Sequence, residues 1–396
     1  MRAVAGVRLG SAAAGIRVAG RDDLVVIELA EGAECAAVFT RNAFCAAPVA
    51  LARRHLRQGS PRLLLINAGN ANAGTGRQGL QDALTSCQDL AGAAGCNIEQ
   101  VLPFSTGVIG ENLPVERLRQ AIPDAMADLE PAGWERASRA IMTTDTRPKL
   151  ASRRFEVDGV PVTVTGMAKG SGMIRPDMAT MLAYLATDLA VERKSLQACL
   201  AAAVKPSFNS ITVDGDTSTN DACVLIASGA SSLPPVTDTN SPIYERFAQA
   251  VQEVCMKLAR DIVRDGEGAT KLVEVVVEQA VDEAEARDVA FTIAHSPLVK
   301  TALFASDPNW GRILAAVGRS GLEGLAIDRV EIWLDDVCIV RNGGRASDYT
   351  EQAGASVMRR QEFTIRVSLD RGGADARVLT CDLSYDYVKI NAEYRT

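Results

Sequence analysis

One threonine of this chain stands where an isolated hydroxyl could act as a nucleophile. The segment KGSGMIRPDMATML, residues 169–182, begins with Lys169 and two nearby glycines, passes a proline, and enters an apolar run that carries Thr180. Glycine permits unusual backbone angles and proline fixes one turn, so this lead-in could hold a strained connection. Threonine in an apolar run is more often a structural residue of a buried strand, and the local sequence leaves both interpretations open.

A nucleophilic threonine needs a base, and this chain has few histidines to supply one. Its two histidines are His55, in the basic and surface-like segment ARRHLRQG, and His295, which ends a helical pattern and is expected to cap it. A chain that is cut between Ala179 and Thr180 would instead gain a new α-amine beside the hydroxyl. Such an amine has a pKa of about 8 and can serve as the general base.

Acyl transfer also needs donors for the oxyanion of the tetrahedral intermediate. The segment PFSTGVIGENLP, residues 103–114, has an apolar lead-in followed by Ser105, Thr106 and Gly107, and Gly107 permits close approach of the main chain. A plain turn before a helix that starts near Leu113 explains the same residues. Spacing alone does not choose between these interpretations.

Three further motifs resemble known ligand-binding motifs but lack features that those motifs require. GTGRQG (74–79) has dinucleotide-binding spacing, but its strand ends at Asn67 and the loop NAGNANAG intervenes, so a turn and a helix N-terminus are favoured, with a binding role for the asparagines open. DGDTSTND (214–221) lacks the glycine and the glutamate of a calcium loop. GEGATK (266–271) lacks the spacing of a phosphate-binding P-loop.

The composition is that of a soluble globular protein. The 396 residues, 47% hydrophobic and 23% charged, suffice for two domains, and the net charge of −7 without a Lys/Arg block argues against nucleic-acid binding. No apolar run is long enough for a transmembrane helix.

The arginines of the N-terminus faintly resemble a transit peptide, but we favour strands and turns of the fold itself. Nine scattered cysteines without a CxxC pair predict reduced thiols and a cytoplasmic protein.

The apolar patterning predicts a mixed α/β or α+β fold with several hairpins. Strands are predicted at 24–30, 62–69, 271–280, 329–336, 337–343, 363–371 and 377–390, and an Asp-Gly hairpin at 153–166. Helices are predicted at 79–95, at 114–129 with an interruption at Pro123, and at 190–204, 241–263 and 285–296. The Ser-, Pro-, Gly- and Thr-rich stretch 227–242 is the best linker candidate.

The motifs together resemble those of the ornithine acetyltransferase family, the glutamate N-acetyltransferases of arginine biosynthesis. KGSGMIRPDMATML is similar to the self-cleavage signature of that family. The other similar motifs, in chain order, are NAGNANAGTG, STGVIGENLP, IMTTDTRPK, DGDTSTND, GEGATK, DPNWGRILAAVGRSG and INAEYRT. They span nearly the whole chain. Gly74 departs from the pattern, because many members have cysteine there, but it lies outside the catalytic motifs.

The resemblance implies the chain organisation. It implies self-cleavage between Ala179 and Thr180, giving an α chain of 1–179 and a β chain of 180–396 that assemble as an α2β2 heterotetramer. It also implies an αββα sandwich of the ornithine acetyltransferase type, with a smaller C-terminal α/β domain at roughly residues 240–396.

The resemblance further implies the roles of individual residues. Thr180 would be the nucleophile and acetyl acceptor, and Thr106 and Gly107 would form the oxyanion hole. The substrate-binding residues would be Thr146 (or Thr144 if the alignment shifts), Lys169, Thr180, Glu267, Asn391 and Thr396. Glu267 would meet the amino group of the substrate, and a strand-like C-terminal run would anchor the tail that carries Asn391 and Thr396.

The implied reaction is a ping-pong transfer of acetyl from N2-acetyl-L-ornithine to L-glutamate through acetyl-threonine, without metal or organic cofactor. Some members also accept acetyl-CoA as a substrate and so act as amino-acid N-acetyltransferases; the sequence leaves that activity open. A self-processed amidohydrolase or aminopeptidase is the second hypothesis, and a dinucleotide-binding protein using GTGRQG is the third. None of these involves nucleic acid or a membrane.

Overall fold

The structure is a computed structural model that describes residues 2–175 and 181–394. The chain divides into two compact units, residues 1–209 with 216–262 and residues 210–215 with 263–396. None of the described helices combines the length and the apolarity needed to cross a membrane.

The first unit carries two β-sheets and the helices that cover them. Its strands are β1 (Val7–Ala12), β2 (Leu24–Leu29), β3 (Glu34–Phe39), β4 (Leu63–Asn70), β5 (Val101–Val108), β6 (Lys149–Val157), β7 (Val160–Lys169), β8 (Leu182–Thr187) and β9 (Ala222–Ala227). Its helices are α1 (Ala47–Gln58), α2 (Gly76–Ala94), α3 (Val115–Ala127), α4 (Trp134–Ala140), α5 (Arg193–Val204) and α6 (Pro242–Arg264).

The two sheets have the orders β1-β2-β4-β5 and β3-β9-β8-β7-β6, and β4–β5 and β8–β9 are parallel pairs. Their inner faces form one buried core, where the rings of Phe104 and Tyr184 meet edge to face at 5.3 Å. Val25 and Ile27 of β2 point into this core, and Leu24 and Val26 point into the layer of α2 and α3. A continuous apolar run is therefore buried on both faces.

Helices also cover the outer face of the second sheet. Gly166 of β7 leaves space for Val254 and Leu258 of α6, since a Cβ there would lie 3.0 and 3.2 Å from their side chains. Helix α5 packs on β3 and β9 of the same sheet. The first unit is thus the αββα sandwich expected from the resemblance.

Local signals explain several elements. Asp158 and Gly159 both have positive φ, 50° and 78°, as a two-residue turn between β6 and β7 requires. Helix α2 ends at Gly95, whose left-handed conformation (φ 66°) caps it. Helix α6 begins after Ser241, whose hydroxyl accepts from the Tyr244 N–H at 3.3 Å. These predictions are confirmed.

Two local predictions are wrong. Helix α3 continues through Pro123, although proline cannot donate to the preceding turn, because its apolar face with Leu118 and Ala125 is buried. His55 is 1% exposed rather than on the surface. It faces inward from α1, and its Nδ1 lies 2.8 Å from the Val101 carbonyl oxygen.

The second unit is a six-stranded sheet with helices. Its strands are β10 (Leu272–Ala280), β11 (Glu331–Leu334), β12 (Val337–Arg341), β13 (Gly344–Arg345), β14 (Glu362–Ser368) and β15 (Ala374–Cys381), in the order β13-β12-β11-β14-β10-β15. Its helices are α7 (Glu283–Ala294), α8 (Pro297–Ala305), α9 (Trp310–Gly318), α10 (Glu351–Met358) and α11 (Tyr385–Ala392).

The single strand predicted at 377–390 is also wrong. Strand β15 ends at Cys381, and α11 follows it. Ser384 caps this helix, because its hydroxyl accepts from the Tyr387 N–H at 3.4 Å. The aromatic and β-branched residues of YDYVKI favour a strand, but the cap at Ser384 starts a helix there instead.

Candidate active site

The end of strand β5 depends on the absence of a side chain at Gly107. Its φ is +137°, and a Cβ there would lie 2.2 Å from the carbonyl carbon of Gly69 and 2.5 Å from the nitrogen of Asn70. Strand β5 runs in register with β4 to this point, with Ala68 opposite Thr106, and the register then shifts. Gly107 therefore allows the predicted oxyanion segment to lie directly against the NAGNANAG loop.

Lys169, the last residue of β7, meets Thr106 in this region. Its Nζ lies 3.3 Å from Thr106 Oγ1 and 2.8 Å from Thr143 Oγ1. Lys169 is only 8% exposed, so its charge is held among these groups rather than in solvent. Two residues that the sequence analysis assigned to the site, Lys169 and Thr106, thus lie in contact.

A buried carboxylate that sequence reasoning missed organises this cluster. Asp145 accepts hydrogen bonds from the N–H groups of Gly170 (2.8 Å) and Thr143 (3.1 Å). It also pairs with Lys149 Nζ at 2.5 Å and Lys169 Nζ at 3.8 Å. An aspartate four residues before a lysine was the available signal, but the sequence gave no reason to place either one in the interior.

The charge balance keeps Asp145 ionised. Burial by itself would raise the pKa of this carboxyl group, but the nearby Lys169 and Lys149, with the Gly170 N–H, hold the pKa well below its ordinary value.

The threonines of TTDT occupy different positions. Thr143, the first of them, is bonded to Lys169 through its hydroxyl group. Thr146 is exposed and Thr144 is half-buried. The assignment of Thr146 as a substrate threonine remains a prediction.

Two predicted site residues of the second unit lie together. Asn391 Nδ2 donates to Glu267 Oε2 at 2.8 Å, and Glu267 is 8% exposed. The loop of Glu267 is docked on the start of α11, because Ser384 Oγ donates to the Gly268 carbonyl at 2.6 Å. A Cβ on Gly268 (φ +67°) would lie 2.5 Å from the Tyr387 nitrogen. The C-terminal anchor is therefore this contact with a helix rather than the expected strand.

Ala179, Thr180 and Thr396 lie outside the described residues. The described residue that follows Thr180 is Met181. Its N–H is bonded to the carboxyl group of Asp221, and its carbonyl accepts from the Ala222 N–H at 3.0 Å. Strand β8 is therefore fixed to β9 from the first residue after Thr180.

Asp221 is itself an unusual group. It is 2% exposed, and its Oδ2 has no hydrogen-bond partner within residues 2–175 and 181–394. Burial raises the pKa of this carboxyl group well above its ordinary value, and the Ser218 hydroxyl, Lys169 and the Met181 N–H offset only part of that effect. Its environment therefore favours the neutral form of the carboxyl group, in contrast to that of Asp145.

This arrangement can stabilise a negatively charged oxygen. The ammonium of Lys169 and the hydroxyl of Thr106 lie beside the backbone of Gly107, and donors of these kinds are suited to a carboxylate or a tetrahedral oxyanion. Within the part of the chain that the structure describes, no three His, Cys, Asp or Glu side chains are grouped as metal ligands would be.

The fold and the site together define an αββα sandwich protein with a lysine–threonine cluster at its strand ends. The ArgJ family model matches residues 8–396, and the chain belongs to this family. It is 62% identical over 393 residues to the arginine biosynthesis bifunctional protein ArgJ of Methylococcus capsulatus, with 99% of this chain and 96% of that protein covered. For the protein of the same name from Pseudomonas fluorescens, the identity is 55%, and the coverage is 99% and 97%.

A solved structure shows the same relationship. The crystal structure of the arginine biosynthesis bifunctional protein ArgJ from Bacillus halodurans is 40% identical, with a TM-score of 0.52. The match covers 54% of this chain and 100% of that chain.

Proposed function

We propose that this protein transfers the acetyl group of N2-acetyl-L-ornithine to L-glutamate, giving L-ornithine and N-acetyl-L-glutamate for arginine biosynthesis. Membership of the ArgJ family over residues 8–396 is the observation that carries this proposal. The cluster of Lys169 and Thr106 beside Gly107 supports it, because it offers donors of the kind that an acyl-transfer oxyanion needs.

The chemistry is a ping-pong reaction at Thr180. Its Oγ attacks the acetyl carbonyl, its own α-amine takes the hydroxyl proton, and Thr106 and Gly107 stabilise the oxyanion. The C–N bond breaks, and ornithine leaves with the proton on its amine. The amine of glutamate then attacks the acetyl-threonine ester, and Thr180 recovers its proton through the same α-amine.

Substrate recognition uses groups of opposite charge. Lys169 contacts the substrate on the first unit, together with Thr146 and Thr180. Glu267, with Asn391 and Thr396, meets the positively charged amino group. The bond from Asn391 to Glu267 supports this role, since it orients the carboxylate while leaving lone pairs for an ammonium group.

Self-cleavage between Ala179 and Thr180 produces the active form, with an α chain of 1–179 and a β chain of 180–396. The described part of the lead-in supports a strained precursor. Gly170 has φ +154°. Met173, which is not a glycine, also has a positive φ of +54°. A non-glycine residue in the left-handed region stores strain, and strain before the cleavage point favours attack of Oγ on the Ala179 carbonyl.

A second activity and the assembly belong to the same proposal. The relatives are named bifunctional, which supports acetyl-CoA as an alternative acetyl donor for glutamate, used as a substrate rather than as a cofactor. The processed chains assemble as an α2β2 heterotetramer in the cytoplasm.

Incubation with N-acetylornithine and glutamate tests the proposal. Equal amounts of ornithine and N-acetylglutamate are expected, as measured by chromatography with mass detection. Release of free acetate without N-acetylglutamate would instead identify a hydrolase that shares Thr180 and the oxyanion hole but lacks the acceptor site.

A further inference from the structure

Asn220, two residues before β9, is buried and hydrogen-bonded through every group of its side-chain amide. It is 7% exposed. Its Nδ2 donates to the carbonyl oxygens of Ala71 (2.6 Å) and Ser105 (2.9 Å), and its Oδ1 accepts from Thr219 Oγ1 at 2.5 Å. Because carbonyl oxygens can only accept, the nitrogen of this amide must face them. The orientation of Asn220 is therefore fixed.

The bond to Ser105 matters because of where that carbonyl lies. The Ser105 C=O and the Thr106 N–H belong to one planar peptide group, so a bond to one fixes the tilt of the other. Strand β5 is the last strand of its sheet, and among the described strands none lies along its outer edge to hold such peptide groups. Asn220 supplies the missing hydrogen bond at the residue before Thr106.

Further hydrogen bonds from neighbouring residues also fix the end of β5. Ser105 Oγ donates to Asn67 Oδ1 at 2.5 Å, and Asn67 Nδ2 donates to the Asn70 carbonyl at 2.8 Å. Asn220 also bonds Ala71, so it ties the NAGNANAG loop and the end of β5 to each other. These hydrogen bonds thereby hold the end of β5 against the NAGNANAG loop, in the close approach that Gly107 makes possible.

We propose that Asn220 is a positioning residue for the oxyanion site. It holds the Ser105–Thr106 peptide group and the loop at Ala71 so that Thr106 and Gly107 stay aimed at the reacting carbonyl. Oxyanion donors stabilise a transition state only if they are already in place, and glycine at the end of an edge strand cannot hold that geometry alone. This inference rests on the proposed acyl-transfer function.

Asn220→Ala tests the inference, because it removes both bonds to the backbone. The expected result is a fall in kcat for acetyl transfer of roughly 10- to 100-fold, with the KM for N-acetylornithine changed by less than about 3-fold, since a small misplacement of catalytic groups has such effects. Self-cleavage, measured by gel electrophoresis over time, should slow in parallel because it uses the same donors.

Asn42→Ala is the matched control. Asn42 Nδ2 donates to the Thr217 carbonyl at 3.0 Å, in the same 214–221 segment, and its Oδ1 accepts from the Phe44 N–H at 2.9 Å. Neither bond reaches β5. This variant should keep a kcat within about 3-fold of wild type, as a loss of hydrogen bonds distant from the reacting carbonyl predicts.

If Asn220→Ala does not fold, Thr219→Val is the second variant that tests the inference. It removes the bond to Oδ1 but leaves both bonds to the backbone, so a smaller loss of kcat, about 5-fold, is expected with KM unchanged. Wild-type kcat in a folded Asn220→Ala, or an equal loss in Asn42→Ala, overturns the inference. If wild type cleaves itself but transfers no acetyl group, the proposed function fails and the cleavage rates alone decide the role of Asn220. A wild-type chain that does neither overturns both.

Discussion

At the scale of single residues, two buried aspartates of the first unit lie in opposite electrostatic environments. Asp145 is paired with two lysines, and its pKa is held low. Asp221 has an oxygen without a hydrogen-bond partner among the described residues, and its pKa is raised. The two carboxyl groups therefore contribute to stability with opposite dependence on pH.

Asp145→Asn should be strongly destabilising. It removes the carboxylate that pairs with the ammonium of Lys149, which is 1% exposed, and breaking a buried ion pair in this way costs about 3–5 kcal/mol. Urea unfolding at neutral pH measures the change. Glu135→Gln, which breaks the exposed pair with Arg139, is the control and should cost less than about 0.5 kcal/mol.

The pH dependence of the Asp145 effect follows from its low pKa. The stabilisation is present above the pKa of an unfolded aspartate, about 4, and is lost as the pH falls through that value towards the folded pKa. The difference between wild type and Asp145→Asn should therefore shrink in acid. A difference that is constant across this range would contradict the assignment of Asp145 as the ionised partner.

Asp221→Asn should have the opposite effect. Because the folded pKa is raised, wild type loses stability as the pH rises from the unfolded value, about 4, towards the folded pKa. Asparagine resembles the neutral acid and lacks this loss. The variant should be more stable than wild type at neutral pH, and this advantage should disappear below about pH 4. Urea midpoints at the two pH values provide the measurement, and lower stability of the variant at neutral pH would show that Asp221 is ionised in the folded protein.

At the scale of elements, local signals predicted what local physics determines. The Asp158–Gly159 turn, the Gly95 cap and the Ser241 cap were all readable from the sequence. Strand-like residues in α11 and Pro123 in α3 misled the prediction, because capping by Ser384 and burial of one helix face outweighed residue preference.

The candidate site was predicted only in part, for a related reason. Lys169, Thr106 and Gly107 came from the family resemblance, and the structure brings Lys169 and Thr106 into contact. Asp145 and Asn220 were missed because their roles depend on partners distant in sequence, such as Gly170 for Asp145 and Ser105 for Asn220. A single sequence does not report such distances.

Gly107→Ala tests the packing of β5 on β4. An added Cβ would meet backbone atoms of Gly69 and Asn70, so the strand ends must separate, and self-cleavage and acetyl transfer should both fall by more than about 100-fold. Gly110→Ala is the matched control, because Gly110 also has positive φ (+86°) but open space around its Cβ position. It should lose only a little stability, and a Gly107→Ala protein as active as this control would contradict the close-approach argument.

At the scale of the whole molecule, the composition predicted a globular protein and the apolar patterning a mixed α/β fold, but neither predicted the arrangement of its sheets. The linker-like stretch 227–242 lies between β9 and α6, which both belong to the first unit, and the chain passes to the second unit only after Ile262. Six of the nine cysteines are buried, and burial raises the pKa of thiols such as Cys35 and Cys223, as expected of unreactive structural groups.

Denaturing mass spectrometry of the purified protein is the most direct test of the account, because its central claim is that Thr180 begins a chain. Two fragments, 1–179 and 180–396, are predicted, and incubation with N-acetylornithine should add one acetyl group to the second fragment only. Thr180→Ala should remain a single chain. An uncut wild-type chain that behaves like Thr180→Ala, or an acetyl group on the first fragment, would contradict the account.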